Sequence, residues 1–442
     1  MSLPKGFYIG AATAAHQVEG NNTGSDDWAL EQLEHSEFQE PSGIACDHYH
    51  RYEEDIRLMA AAGLNAYRFS IEWARIEPEH GHFDDDEIEH YRRVIECCRQ
   101  NGLEPILTLF HFTSPVWVIR EGGWENEKVV DYFRDYVTYV ISRLGRGLHY
   151  VVTINEANMR LQITMIMERF QRQLMAQMQG AAKAPAASDQ AEETTEGQVQ
   201  VGLNLKALMA GREAAAKEKA AIFGTPDPKT FVSPCTPEGD RIVMRAHEAA
   251  REAIRAFDPA IKVGLSLSLH DVQAAEGGEE RADREWDDEF LHYLPYIQND
   301  DFLGVQNYTR AVIGADGEQP VPEGCETTQM GYEFYPEGLE HVLRRVAEEF
   351  HHELFVTENG VATDDDTRRV EFIRRALQGV EAAVSDGLPV VGYTYWSLLD
   401  NFEWQKGYSM RFGLVACDRD TMERTPKESL AVLGSYIKES LV

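Results

Sequence analysis

Residues 97–110 read CCRQNGLEPILTLF, and the change of pattern inside them decides the fold. Up to this point Ile88, Tyr91, Ile95 and Cys98 recur at helical spacing. After Gly102 an apolar run without alternation begins. Glycine closes helices in the left-handed conformation, so the stretch reads as a helix-to-strand joint. The same joint recurs around Gly63 in MAAAGLNAYRFSI (59–71) and around Gly387 in AVSDGLPVVGYTYW (383–396).

Working outward from these joints, strands are predicted at 7–11, 66–70, 105–110, 150–154, 262–267, 302–305, 354–357 and 390–396. Short apolar strands alternating with amphipathic helices suit a parallel sheet buried on both faces. Repeated to this extent, the unit predicts an α/β fold of the (β/α)8 TIM barrel type, a single domain over 1–442. A doubly wound open sheet is the alternative. No G-x-G-x-x-G follows the first strand, which weakens its dinucleotide-binding version.

One connection breaks the spacing. Between the fourth and fifth strands, GAAKAPAASDQAEETTEGQ (180–198) has the composition of a flexible link. Before it, Met159, Ile163, Ile166, Phe170, Leu174 and Met178 fall at helical spacing, and 203–223 also favours helix. Residues 160–230 are therefore expected to form a helical, partly flexible insertion in the fourth βα connection. The regular helix of that unit is expected at 237–257.

The chain carries 42 Lys and Arg against 75 Asp and Glu, a formal charge of −33. Such a surface repels phosphate backbones and anionic lipid, so neither nucleic acid nor membrane is an expected partner. The acid is spread along the chain and only 11 of the basic residues are Lys, which fits a solvated, salt-tolerant surface. No apolar run has secretory or membrane-spanning length, which predicts a cytoplasmic protein. The cysteines at 46, 97, 98, 235, 325 and 417 show no C-x-x-C, so reduced thiols in packed positions are expected. His48 and His50, and the pair His351 and His352, lack carboxylate or cysteine company at metal-site spacing, so no metal is expected.

The chemistry sits where strands end. YVVTINEANM (150–159) runs an apolar strand into Asn155 and Glu156, and LFVTENG (354–360) does the same with Glu358. Taken alone, Glu156 would be a solvated residue at a strand exit. In a barrel, however, the C-terminal strand ends carry the active site. Arg68, His111, Trp396, Glu403 and Trp404 also fall there and suggest a sugar-sized pocket. Two carboxylates about 5 to 5.5 Å apart across a sugar give retention of configuration, and roughly 6.5 to 9.5 Å gives inversion.

The segments FYIGAATAAHQVEG, DHYHRYEEDIRLMAAAGLNAYRFSIEWARIEP, GGWEN, TINEA, VTENG, YTYWSLLDNFEW and RFGL resemble, in order, the signatures of glycoside hydrolase family 1, the β-glucosidase and β-galactosidase family. The likeness covers about 6–158 and 240–437. It implies Glu358 as nucleophile and Glu156 as acid/base, with Asn155 holding the sugar 2-hydroxyl and the nucleophile's carboxylate. Arg68 and Tyr308 would keep the nucleophile ionised and oriented. Gln17, His111, Glu403 and Trp404 match the hydroxyl-binding set, with Phe112 beside them and Trp396 as the aromatic floor. The implied activity is a retaining exo-β-glycosidase acting on β-glucosides, with β-galactosides and β-fucosides as further candidates, and with no cofactor. Glu403 in EWQKGY would repel a phosphate at the sugar 6-position, which argues against a 6-phospho-sugar specialist.

Departures from the pattern are Ala157 for the usual Pro, Phe112 for Trp and Gln306 for Asn. The first removes a rigid φ and puts the rate in question; the others bear on glycone contacts. The Met-rich insertion predicts an altered leaving-group side, open to an apolar aglycone, or a subunit contact in a homo-oligomer. A transglycosidase working through the same intermediate and a non-catalytic sugar-binding scaffold remain the alternative functions.

Overall fold

The computed structural model describes residues 3–181 and 212–439. Its central sheet is built from β1 (Tyr8–Thr13), β2 (Ala66–Ser70), β3 (Glu104–Thr108), β4 (Tyr150–Val152), β5 (Lys262–Gly264 and Ser266–Ser268), β6 (Phe302–Gln306), β7 (Glu353–Glu358) and β8 (Val390–Trp396). All pairings are parallel, and each strand lies beside its neighbours in sequence, with β1 against β8. Strand β5 closes the ring in two halves. Lys262–Gly264 pairs with β4, and Ser266–Ser268 pairs with β6. At the changeover, Leu265 O accepts from Gly304 N at 2.8 Å. The expected (β/α)8 barrel is therefore observed, and the open-sheet alternative is excluded by this closure.

The glycine joints behave as their sequence requires. Gly63, Gly102 and Gly387 have φ of +107°, +75° and +92°, ending the helices His48–Ala62, Asp85–Gln100 and Asp366–Ser385. Some strand bounds move. β1 runs to Thr13 rather than 11, and β3 stops at Thr108 rather than 110. β4 stops at Val152 because the next residues leave regular pairing, although Thr153 N still donates to Gly264 O at 2.9 Å and Asn155 N to Phe110 O at 2.9 Å. β5 is one run in sequence but two pieces in space.

Inside the barrel, Ala66, Ile106, Tyr150, Val152, Phe302 and Phe355 form one apolar cluster, contributed by different strands around the ring. Strand side chains alternate between faces, so Arg68, Thr108 and Gln306, each an even step along, also point inward. β7 departs from that rule: Val356 pairs with Val305 and Glu358 with Gln306, so Thr357 is an extra residue. The bulge turns Glu358 to the inner face, where unbroken alternation from Phe355 would have placed Thr357.

The connection from β4 to β5 contains the helices Met159–Ala181, Arg212–Phe223 and Pro237–Phe257. The last packs on Lys128–Leu144 as the regular outer helix of the unit. Most of the link expected at 180–198, and residues 203–211 of the second predicted helix, lie outside the described residues. Among the described residues no helix is long and apolar enough to cross a membrane. All six cysteines are unpaired, but they are not all packed: Cys325 is exposed and Cys235 half-buried.

Candidate active site

Every site residue named from the sequence is at most 5% exposed, which removes the reading of Glu156 as a solvated strand exit. Glu358 is the best-held of the carboxylates. Arg68 Nη1 lies 2.6 Å from its Oε1, and the Tyr308 hydroxyl donates to Oε2 at 2.7 Å. Arg68 is fixed in turn: its Nε donates to Thr108 Oγ1 at 3.1 Å, Nη1 to Thr357 O at 3.1 Å, and Nη2 to Asn155 Oδ1 at 2.6 Å. A planar guanidinium can serve all of these acceptors at once, and a lysine could not.

Glu156 follows β4 with φ +44°, a left-handed conformation uncommon for a residue bearing a side chain. Its N–H donates to Ser266 Oγ at 3.0 Å, and Ala157 N donates to Ser266 O at 2.9 Å. Its carboxyl hydrogen-bonds the Ser268 side chain. Ala157 thus supplies a backbone donor that the proline usual at this position lacks.

Electrostatics separates the two carboxyls. Burial first, and the charge of Glu358 second, push Glu156 well above the usual carboxylate range, against Arg68 and the Ser268 bond. Burial also raises Glu358, but Arg68, Tyr308 and Gln306 all oppose the rise. The arrangement therefore favours an ionised Glu358 beside a protonated Glu156.

The remaining residues join the same cluster. Asn155 Nδ2 donates to His111 Nε2 at 3.1 Å, which leaves the ring proton on Nδ1, a buried atom with no hydrogen-bond partner among the described residues. Burial and then Arg68 hold His111 well below the usual imidazole value, so it is neutral. Its ring lies 5.7 Å from Trp396 and 6.0 Å from Trp404. Phe112, with φ +72°, packs 5.2 Å from Trp404. Gln17 Nε2 donates to Phe402 O at 2.7 Å and to Glu403 Oε2 at 3.2 Å. Burial, then Glu358, pushes Glu403 up to about 8. These are directional polar groups around indole faces, the combination that suits vicinal hydroxyls and sugar C–H surfaces.

A family model described as glycosyl hydrolase family 1 matches residues 1–440. The chain belongs to this family. Among solved structures, this family 1 glycoside hydrolase is similar to one titled beta-glycosidase BGL167, with a TM-score of 0.85 and 41% identity, covering 99% of this chain and 97% of that one. It is also 30% identical to a 1,4-beta-D-glucan glucohydrolase of Thermotoga neapolitana, covering 99% of this chain and 98% of the relative. A Beta-glucosidase A of Acetivibrio thermocellus is likewise 30% identical, at 99% and 98% coverage.

Some members of the glycosidase's cluster went unread in the sequence. Ser266 and Ser268 bond the backbone of Glu156 and its carboxyl, but serines in a strand carry no signal. His16 stands behind Trp404, with ring centroids 5.9 Å apart and planes parallel, and its Nε2 is 2.6 Å from Glu31 Oε1. Burial opposes its charge, yet Glu31 drives it up to about 9. Tyr332 is buried close enough for Glu403 and Glu156 to raise its phenol further above a value already lifted by burial.

The histidines considered as ligands have other work or other surroundings. His48 bonds Asp55 at 2.8 Å and Tyr67 at 3.0 Å, His50 bonds Asp47 at 2.7 Å, and His351 and His352 are exposed. Trp124 is structural: its indole N–H donates to Ser114 Oγ at 3.0 Å within an aromatic cluster of Phe110 and Phe231. Among the described residues, only Glu34, His35 and Glu218 bring metal-type atoms within mutual reach, and His35 already bonds Glu218 at 2.6 Å.

Proposed function

We propose that this family 1 enzyme is a retaining exo-β-glycosidase of β-glucosides, with Glu358 as nucleophile and Glu156 as acid/base. The observation that carries the reading is the unequal treatment of two buried carboxyls in one field. Glu358 has a cation at 2.6 Å and a phenol at 2.7 Å, whereas Glu156 is buried beside its charge. The names of the relatives, a glucan glucohydrolase and a β-glucosidase, support the glucoside preference.

Glu358 attacks the anomeric carbon as Glu156 gives its proton to the departing glycosidic oxygen, which leaves as an alcohol. Esterification removes the charge on Glu358, so Glu156, now ionised, loses the neighbour that raised its pKa. It then takes a proton from water, whose oxygen attacks the same carbon and frees Glu358. Two inversions give net retention. The hydrogen bond from Ala157 N–H to Ser266 O weakens the scaffold alternative, because the substitution adds a tether at the acid/base instead of loosening it.

The leaving-group side is proposed to be shaped by the helix that opens the predicted insertion, residues 182–211 of which lie outside the described residues. The helix Met159–Ala181 begins three residues after Glu156, and Gln162 Nε2 donates to Ser268 O at 2.9 Å. Arg169 then ties the helix to Glu285 and to Glu318, at 3.3 Å for the latter.

Incubation with a 2-deoxy-2-fluoro β-glucoside, followed by peptide mass spectrometry, tests the assignment. Covalent label on Glu358 is expected. An unlabelled protein that also fails to cleave aryl β-glycosides overturns the reading.

A further inference from the structure

Gln306 was expected to alter contacts to the sugar because it stands where Asn is usual. The structure places it elsewhere in the chemistry. It ends β6 and is paired across the sheet with Ser268 on one side and Glu358 on the other. Ser268 bonds the Glu156 carboxyl. The row Ser268, Gln306, Glu358 therefore crosses three adjacent strands between the two carboxyls, with Gln306 at its middle.

The bonds of the Gln306 amide are specific. Nε2 donates to Asn155 Oδ1 at 2.8 Å, and the residue stands directly opposite Glu358 across the sheet, where its side chain favours the ionised carboxylate. Oε1 is buried with no hydrogen-bond partner among the described residues, so the donors set the orientation of the amide. Asn155 Oδ1 also accepts from Arg68 Nη2 at 2.6 Å and from Ser266 Oγ at 3.2 Å. With this crowd of donors at its oxygen, the Asn155 amide cannot turn over without leaving buried N–H and O–H groups unpaired. Its NH2 is thereby directed to the opposite side, where it meets His111 at 3.1 Å.

We propose that Gln306 is a positioning residue, its amide holding the Asn155 amide from the strand position opposite Glu358. It helps to fix which face of the Asn155 amide the sugar meets, and it lies beside the nucleophile that Arg68 and Tyr308 hold. The proposal rests on the glycosidase reading above. A residue that only packed here would make neither contact its main effect.

The test compares wild type with Gln306→Met, which keeps the length and removes both donors, and with Gln306→Asn, which keeps the amide but shortens it. For each, kcat/KM is measured against pH on an aryl β-glucoside and on its 2-deoxy counterpart, together with Tm. Gln306→Met is expected to lose about 10- to 100-fold on the glucoside, the scale of one hydrogen bond to a charged group. The acidic limb should move to higher pH, because the nucleophile has lost a group that favours its ionised form. The rate penalty for deleting the 2-hydroxyl should shrink, since the Asn155 amide has lost one of the three donors that hold its oxygen.

Gln306→Asn should show the same changes in smaller measure, and it decides the matter if the Met variant is unfolded. A rate loss that follows Tm, with limb and 2-hydroxyl penalty unchanged, overturns the proposal. Wild-type labelling at Glu358 separates this outcome from failure of the glycosidase reading itself.

Discussion

Arg68 and Glu358 form a buried ion pair, Nη1 to Oε1 at 2.6 Å, with side chains 1% and 5% exposed. Removing one partner leaves the other charge without compensation. Arg68→Met should therefore destabilise the barrel by about 3–5 kcal/mol while Glu358 stays ionised. The loss should depend on pH. Without its cation, Glu358 holds its proton in the folded state to a pH at which the unfolded chain has already released it. Stability then falls as pH rises from the ordinary carboxylate range through the raised folded value. Denaturant unfolding of the variant and wild type at pH 5 and pH 8 measures this. A gap between them that does not widen with pH would contradict the ion-pair account.

Glu156 is raised by burial and by the charge of Glu358, which suits an acid that must start protonated. Glu156→Gln should lower kcat/KM by about 10²- to 10⁴-fold for alkyl glucosides, whose leaving oxygen needs the proton. Activated aryl glucosides should lose much less in the first step. The basic limb of the wild-type profile, set by ionisation of Glu156, should disappear in the variant. Pre-steady-state rates across a series of leaving groups provide the measurement, and equal losses across the series would refute the role.

Restoring the usual residue should harm this enzyme. Ala157 N donates to Ser266 O at 2.9 Å, and Glu156 sits at φ +44°. Ala157→Pro removes that donor and pushes the residue before it toward extended backbone. An unsatisfied buried carbonyl costs about 1–3 kcal/mol. The variant is expected to melt earlier and to lose activity through displacement of Glu156. Equal or higher activity at unchanged Tm would show that the tether has no importance.

Glu403, pushed up to about 8 by burial and then by Glu358, holds a proton near neutrality. Its charge therefore contributes little against a 6-phosphate at pH 7 and more at pH 9. The ratio of kcat/KM for a β-glucoside to that for its 6-phosphate should rise across that interval. Glu403→Gln should abolish the rise. A ratio flat in the wild type would show that the phosphate is refused for steric reasons instead.

Much of this site was legible because barrels put chemistry at strand exits and because glycine joints mark where strands begin. Glu156, Arg68 and His111 could be placed by counting along apolar runs. Glu358 could be named but not aimed: simple alternation from Phe355 turns Thr357 inward and Glu358 away, and only the extra residue opposite β6 brings Glu358 to the inner face as well. The two halves of β5 share one uninterrupted apolar pattern, so nothing local announces that the partner strand changes at Leu265. Gln306 read as a departure at the sugar because its neighbours Asn155 and Glu358 are remote in sequence. Cys325 misled for a simpler reason, since residue type alone does not report exposure.

The left-handed glycines at the helix-to-strand joints lie at the entry ends of their strands, a barrel's length from the carboxyls. A side chain added at Gly102 or Gly387 would meet no atom within 4 Å, so its cost is backbone strain alone, about 1–2 kcal/mol at each position. Distant sites of this kind add nearly independently. Thermal margin can thus be dialled down in known steps from the rim that turnover does not use, while turnover stays where it was.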